Sequence, residues 1–216
     1  MRDHSWTREG ASRCKDALRN GLVVTVVAAG GFLVPQPASS QDLHPSRRPS
    51  PIGIAKSHIG ETYVKVTYGR PYMRGRSIFG APGDTVTYLV PFGQLWRTGA
   101  NEATELTTTA ALQIAGQRLA AGTYAIFTVP SASSWEVRFS PQLGLDGTGS
   151  IDEESGEFIA DVYDPSRDVL RVTVPSGGTS EDVDQFTIEF EKTGTGTAMV
   201  MRWERTEVRV PIAADR

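Results

Sequence analysis

Seven residues between positions 70 and 102 carry side chains suited to gripping an anion: Arg70, Arg74, Arg76, Trp96, Arg97, Asn101 and Glu102. A guanidinium offers a planar fork of donors that meets carboxylate, phosphate or sulfate two bonds at a time. Trp96, next to Arg97, supplies a flat stacking wall beside that fork. Asn101 is the one asparagine after residue 20, and it can both donate and accept. Glu102 accepts, or acts as an acid if buried. Pro71 biases Arg70 toward an extended backbone, and Gly75 lets the chain turn tightly. Together the seven suit a sugar acid, a peptide carboxylate or another polar small molecule. A structural role is equally consistent with them. Arg97 would then pair with Glu102 in a looped corner, Asn101 would satisfy loop backbone, and Trp96 would fill core.

Other chemistries find less support. A glycosidase needs two carboxylates facing across a cleft. Glu102 and Glu105 are close in sequence, but three positions apart on an extended run they are expected on opposite faces. Glu61 and Asp161 are further acids, and nothing in the sequence selects one. Beyond the first 41 residues the histidines are His44 and His58, neither in the context of a Ser or Thr nucleophile, and Gly-x-Ser-x-Gly is missing. That scarcity also argues against a zinc site. A calcium loop around Asp146 and Asp152 would put Gly144 first and Ser155 last, where a bidentate Glu is required. The match fails at both ends and reads as a solvated acidic loop. No Gly-rich phosphate loop precedes a helix, and no basic stripe suits nucleic acid. No cofactor and no metal are expected.

The elements that must position these residues begin after an address. Arg2, Arg8, Arg13, Lys15 and Arg19 form a basic start, Gly21 to Val34 is apolar, and Ala38-Ser39-Ser40 offers small residues to a peptidase. That order predicts a cleavable secretory signal over 1–41. Its apolar stretch reaches only about 21 Å as a helix, short of a bilayer's ~30 Å core. Cys14 is the only cysteine and lies in the leader, so residues 42–216 own no disulfide. The whole chain has 22 basic and 25 acidic residues, and the leader removes more of the basic ones. An acidic mature chain argues against nucleic acid or an anionic membrane as partner. Residues 42–55, with Pro45, Pro49 and Pro51, read as a flexible Pro/Ser-rich tether.

From residue 56 to 216 a two-residue period takes over. Val64, Val66 and Tyr68 alternate with polar residues, as do Trp135, Val137 and Phe139, then Phe186, Ile188 and Phe190, then Val208, Val210 and Ile212. Each run sets one face on a core and the other in water. Tyr124 to Val129 is continuously apolar and predicts a strand buried on both faces. Nine or ten short strands with Gly turns, such as Gly116 and the Gly194/Gly196 pair, predict an all-β fold. The expected form is one antiparallel, jelly-roll-like β-sandwich.

The string Tyr68-Gly69-Arg70-Pro71, then Arg74-Gly75-Arg76 and Ile78-Phe79-Gly80, resembles the opening of the bacterial domain-of-unknown-function family 2911. Val90-Pro91-Phe92-Gly93 and the run Trp96 to Thr104 are similar to its most distinctive segment. Ala121-Gly122-Thr123-Tyr124, Phe127 to Pro130, Asp168 to Val172 and Phe186-Thr187-Ile188 resemble later blocks. The resemblance covers most of 50–212. It implies an exported bacterial β-rich domain and assigns no activity. Asp84 to Leu89 and 141–157 depart from the family pattern.

These readings lean toward an exported, periplasmic or extracellular binding module without catalysis, and leave open whether the protein is an enzyme. Its partner is expected to be a polar or anionic small molecule or sugar. The alternatives are a hydrolase using Glu102 as acid or base, and a structural or interaction domain of the cell envelope.

Overall fold

A computed structural model describes residues 47–83, 85–147, 150–151, 158–159, 162–194 and 196–215. The predicted leader 1–41, His44, Asp161 and most of the acidic loop after Asp146 lie outside these residues. The described chain is all-β, without an α-helix; a 3-10 turn spans Pro165–Arg167. No helix among the described residues is long and apolar enough to cross a membrane.

Nine strands form one antiparallel sheet. In chain order they are β1 (Ile52–Ile59), β2 (Thr62–Gly69), β5 (Thr104–Thr108), β6 (Leu112–Ile114), β7 (Gln117–Leu119), β8 (Gly122–Pro130), β9 (Ser134–Ser140), β12 (Leu170–Thr193) and β13 (Gly196–Ala214). Their spatial order is β1-β2-β5-β8-β9-β12-β13-β6-β7. Two pairs of short strands stand apart: β3 (Phe79–Gly80) with β4 (Val90–Pro91), and β10 (Ser150–Ile151) with β11 (Phe158–Ile159). The predicted tether is shorter than its composition suggests, because its last four residues, 52–55, already pair with β2.

The alternating runs sit where their period puts them. Val64, Val66 and Tyr68 point into the core from β2, and Trp135, Val137 and Phe139 do so from β9. β8 is buried on both sides. Tyr124 and Ile126 join the main core, while Ala125 and Phe127 pack with Ala103, Leu145 and Tyr163 on the opposite face. The last two runs read as short strands prove to be parts of long ones. β12 pairs with β9 through Leu170–Pro175, then with β13 from Ser176 to Thr193. Its polar middle hid this continuity, and the register shifts twice there, between Gly178 and Val183 and between Val183 and Thr187. Such shifts bend a strand, letting it serve two partners in succession.

The far half of β12 returns toward β2. The Tyr68 hydroxyl donates to the Ile188 carbonyl at 3.1 Å and accepts from the Ile188 N–H at 2.8 Å. Burial holds the phenol's pKa above its ordinary value, and the pairing with Ile188 offsets part of that rise. Between these segments lies an aromatic cluster. Trp96 stacks on Trp203 with centroids 5.7 Å apart and 18° between planes, and Phe79, Trp135 and Phe186 meet Trp96 edge-on. Edge-to-face contacts suit the positive rim and negative face of aromatic rings.

Candidate functional site

Four of the seven candidate residues hold one segment of the protein's own chain, residues 48–51. Residues 48–51 run as an irregular strap into β1, and its carbonyls need donors. The Arg74 Nη2 donates to the Pro49 carbonyl at 3.2 Å. The Asn101 Nδ2 donates to the Ser50 carbonyl at 3.2 Å, and the Arg70 N–H donates to that of Pro51 at 2.8 Å. Glu102 accepts from Arg48 Nη1 on both oxygens, at 2.8 and 2.7 Å. The Arg70 side chain turns to β12, where Nε donates to the Phe186 carbonyl and Nη2 to Thr187 Oγ1. Thus the donors that the sequence offered to a ligand are largely spent on irregular backbone. Arg48, in the segment read as tether, carried no signal of its role.

The turn after Trp96 is tightly built. The backbone N–H and C=O of Trp96 both pair with Thr128 on β8. Thr98 is fully buried at φ 58, and Asn101 sits at φ 63. Asn tolerates that left-handed region, whereas a β-branched Thr there is strained by about 1–3 kcal/mol. The strain is held by side-chain bonds: Thr98 Oγ1 donates to Thr128 Oγ1 at 3.1 Å, and Thr104 Oγ1 donates to the Thr98 carbonyl at 2.7 Å. Trp96 Nε1 donates to the Gly99 carbonyl at 3.1 Å, closing the turn. Arg97 therefore leaves the backbone from a fixed point.

Arg97 shares a recess of about 220 Å³ with Arg76, Trp96, Trp203, Leu89 and Val90, and the strap's Ser50 stands in its lining. Among the described residues no carboxylate lines it. Arg76 is anchored, with Nε donating to the Met73 carbonyl at 3.0 Å and Nη2 to that of Tyr72 at 2.8 Å. Arg97 differs. Among the described residues it makes no hydrogen bond, and its Nε is buried without a partner. Its one ion pair is long, 4.0 Å from Nη1 to Asp146 Oδ1, and its side chain remains 35% exposed. The expected Arg97–Glu102 pair does not form, because Arg48 takes Glu102 and the loop at Asp146 comes to Arg97. The Trp96 ring is mostly core, at 8% exposure, and only part of it reaches the recess.

Glu102 lies in a different cleft, of about 230 Å³, lined also by Glu105, Arg48 and Tyr68. The two acids share it, contrary to the expectation of opposite faces, since Glu102 precedes β5 and does not follow its pleat. A carboxylate with both oxygens already accepting from Arg48 has little left for proton transfer.

A second polar cluster escaped the sequence reading. The Asp168 side chain, 1% exposed, accepts from Arg171 Nε at 2.9 Å. It also accepts from the Tyr163 hydroxyl at 2.7 and 2.6 Å. Burial, then that bond to Asp168, pushes the Tyr163 phenol up to about 12. His58 is exposed, its ring 5.3 Å from that of Tyr63. Among the described residues no group of His, Cys, Asp and Glu could hold a metal ion.

A family model for proteins of unknown function, DUF2911, matches residues 50–212. The chain belongs to the DUF2911 family. The match includes both arginines of the recess, both of its tryptophans and Ser50, so this DUF2911 domain carries the whole recess within the family region. Nothing matches the chain among curated proteins or among solved structures.

Proposed function

We propose that this DUF2911 domain is an exported, non-catalytic β-sandwich module that binds a small anionic molecule in the Arg76–Arg97 recess. One observation carries the reading: among the described residues Arg97 keeps a buried Nε without a partner and a long, weak ion pair, in a recess that none of the described acids lines. A charged group kept partly from water without hydrogen bonds destabilises the fold that holds it. Neighbouring arginines differ: Arg70 and Arg74 donate to backbone or a threonine, and Arg76 gives two of its three nitrogens to backbone carbonyls. Sandwich packing is supported by Tyr68, which joins β2 to the far half of β12 across the core. Export rests on the order of basic, apolar and small residues in 1–41.

Of the alternatives, the hydrolase gains one supporting observation, the shared cleft of Glu102 and Glu105. The Arg48 clasp weighs against it.

A thermal-shift titration with inorganic phosphate, sulfate and simple carboxylates tests the proposal, since a ligand that binds only the folded state raises its melting temperature. The expected result is a saturable rise with at least one anion, lost in Arg97→Ala. A fold that is unmoved by all of them, or a rise that Arg97→Ala retains, sinks the reading.

A further inference from the structure

We infer that the ligand is a small carboxylate with an apolar body, an aryl or alkyl acid, and neither a sugar acid nor a phosphate. The inference rests on the anion-binding reading above and narrows it.

The donors are few and flat. Arg76 has given Nε and Nη2 to backbone carbonyls, which leaves Nη1 for a ligand. Arg97 has its Nε buried and Nη1 inclined toward the 146–147 loop, where a Cβ added at Gly147 would lie 2.8 Å from it. Each guanidinium thus keeps one uncommitted terminal nitrogen, Nη1 of Arg76 and Nη2 of Arg97, enough to meet the two oxygens of one planar carboxylate. A phosphate dianion wants its oxygens met on several sides, by clustered backbone N–H groups or a helix N-terminus. The described fold has no α-helix to offer its N-terminus, and both indole N–H groups of the recess are already given, that of Trp96 to the Gly99 carbonyl and that of Trp203 to the Asp184 carbonyl.

The remaining wall is apolar. Trp96, Trp203, Leu89, Val90 and Pro71 form it, with Ser50 the one hydroxyl. A sugar acid would bring a ring of hydroxyls against these residues and leave most of them unpaired, each at a cost in binding. A phenyl or short alkyl group instead buries its surface against the indoles. Size agrees, because about 220 Å³ is below the range that holds drug-sized ligands and suits one ring or a short chain.

Isothermal titration of the protein with 3-phenylpropionate, its neutral amide, glucuronate and inorganic phosphate separates the possibilities. Tryptophan fluorescence gives a second readout, because Trp96 and Trp203 wall the recess. 3-Phenylpropionate is expected to bind at least about tenfold more tightly than each of the others, a difference of ~1.4 kcal/mol. Arg97→Gln and Arg76→Gln should each weaken it about tenfold or more, with the melting temperature of the unliganded protein held. Arg97→Lys, which keeps the charge and loses the fork, should rescue only in part. Tighter binding of phosphate or glucuronate, lost in Arg97→Gln, would overturn the carboxylate class while keeping the anion site. Equal binding of the amide, or no binding by any of the four, would overturn both.

Discussion

A single guanidinium nitrogen, Nη1 of Arg48, bridges both carboxylate oxygens of Glu102 at 2.8 and 2.7 Å. The partners are unequal: the Arg48 side chain is 8% exposed and that of Glu102 is 43% exposed. This asymmetry predicts unequal losses. Removing Arg48 leaves a carboxylate that water can reach, so Arg48→Ala should cost only about 1 kcal/mol. Removing Glu102 leaves a cation that has lost these two bonds and cannot turn to solvent, so Glu102→Ala should cost about 2–3 kcal/mol. Urea midpoints of the two variants give the order. Both should also speed hydrogen exchange at the Arg70 amide, which donates to the strap's Pro51 carbonyl. Equal losses, or a slow Arg70 amide in both, would show that the clasp does not hold the strap.

Gly69 ends β2 against the turn that launches Arg97. A Cβ there would lie 1.9 Å from the Ala100 carbonyl oxygen, a backbone atom that cannot rotate away. Gly69→Ala should therefore cost about 3 kcal/mol by forcing the two segments apart. It should also impair the recess, because Gly99 and Ala100 line it. Gly75 is the control. It has φ +70 with nothing near its missing Cβ, so Gly75→Ala meets backbone strain alone, about 1 kcal/mol. Thermal unfolding of both variants tests the contrast, which fails if Gly75→Ala is the more damaging.

The sequence made the sheet legible wherever one face met the core and the other met water, as in Val64-Val66-Tyr68 and Trp135-Val137-Phe139. It could not reveal that Leu170 to Thr193 is one strand. The polar residues from Ser176 to Gln185 carry no apolar period, and their place follows from pairing with β13. At the site, residue type was legible and allegiance was not. Arg74, Asn101 and Glu102 look like ligand donors because loop backbone and ligands make the same demands for hydrogen bonds. Only the position of 48–51 shows which demand they meet. Arg76 and Arg97 line one recess, and Trp203, more than a hundred residues from Arg97, joins them through the fold alone.

Acid should loosen the β12–β13 ladder first. Arg202 sits among Glu189, Glu191 and Glu207, with Nη2 2.5 Å from Glu191 Oε1 and Nε 2.6 Å from Glu207 Oε2. The bond from Arg202 is the chief cause that lowers the Glu191 pKa below its ordinary value. For Glu207 the chief cause is the bond from Arg209, with Arg202 adding to it. A carboxylate with a depressed pKa in the folded state binds its proton more weakly there than in the unfolded chain. Its stabilisation is complete above the unfolded value of about 4.3 and is lost as pH falls through the folded one. Arg202→Met should thus lower the urea midpoint at neutral pH, by an amount near the ~1 kcal/mol typical of partly exposed ion pairs. The gap to wild type should shrink as the pH drops below 4.3 and the acids protonate in both proteins. A gap of constant size from neutral to strongly acidic pH would mean that Arg202 acts through the packing of its stem against the sheet and not through its charge.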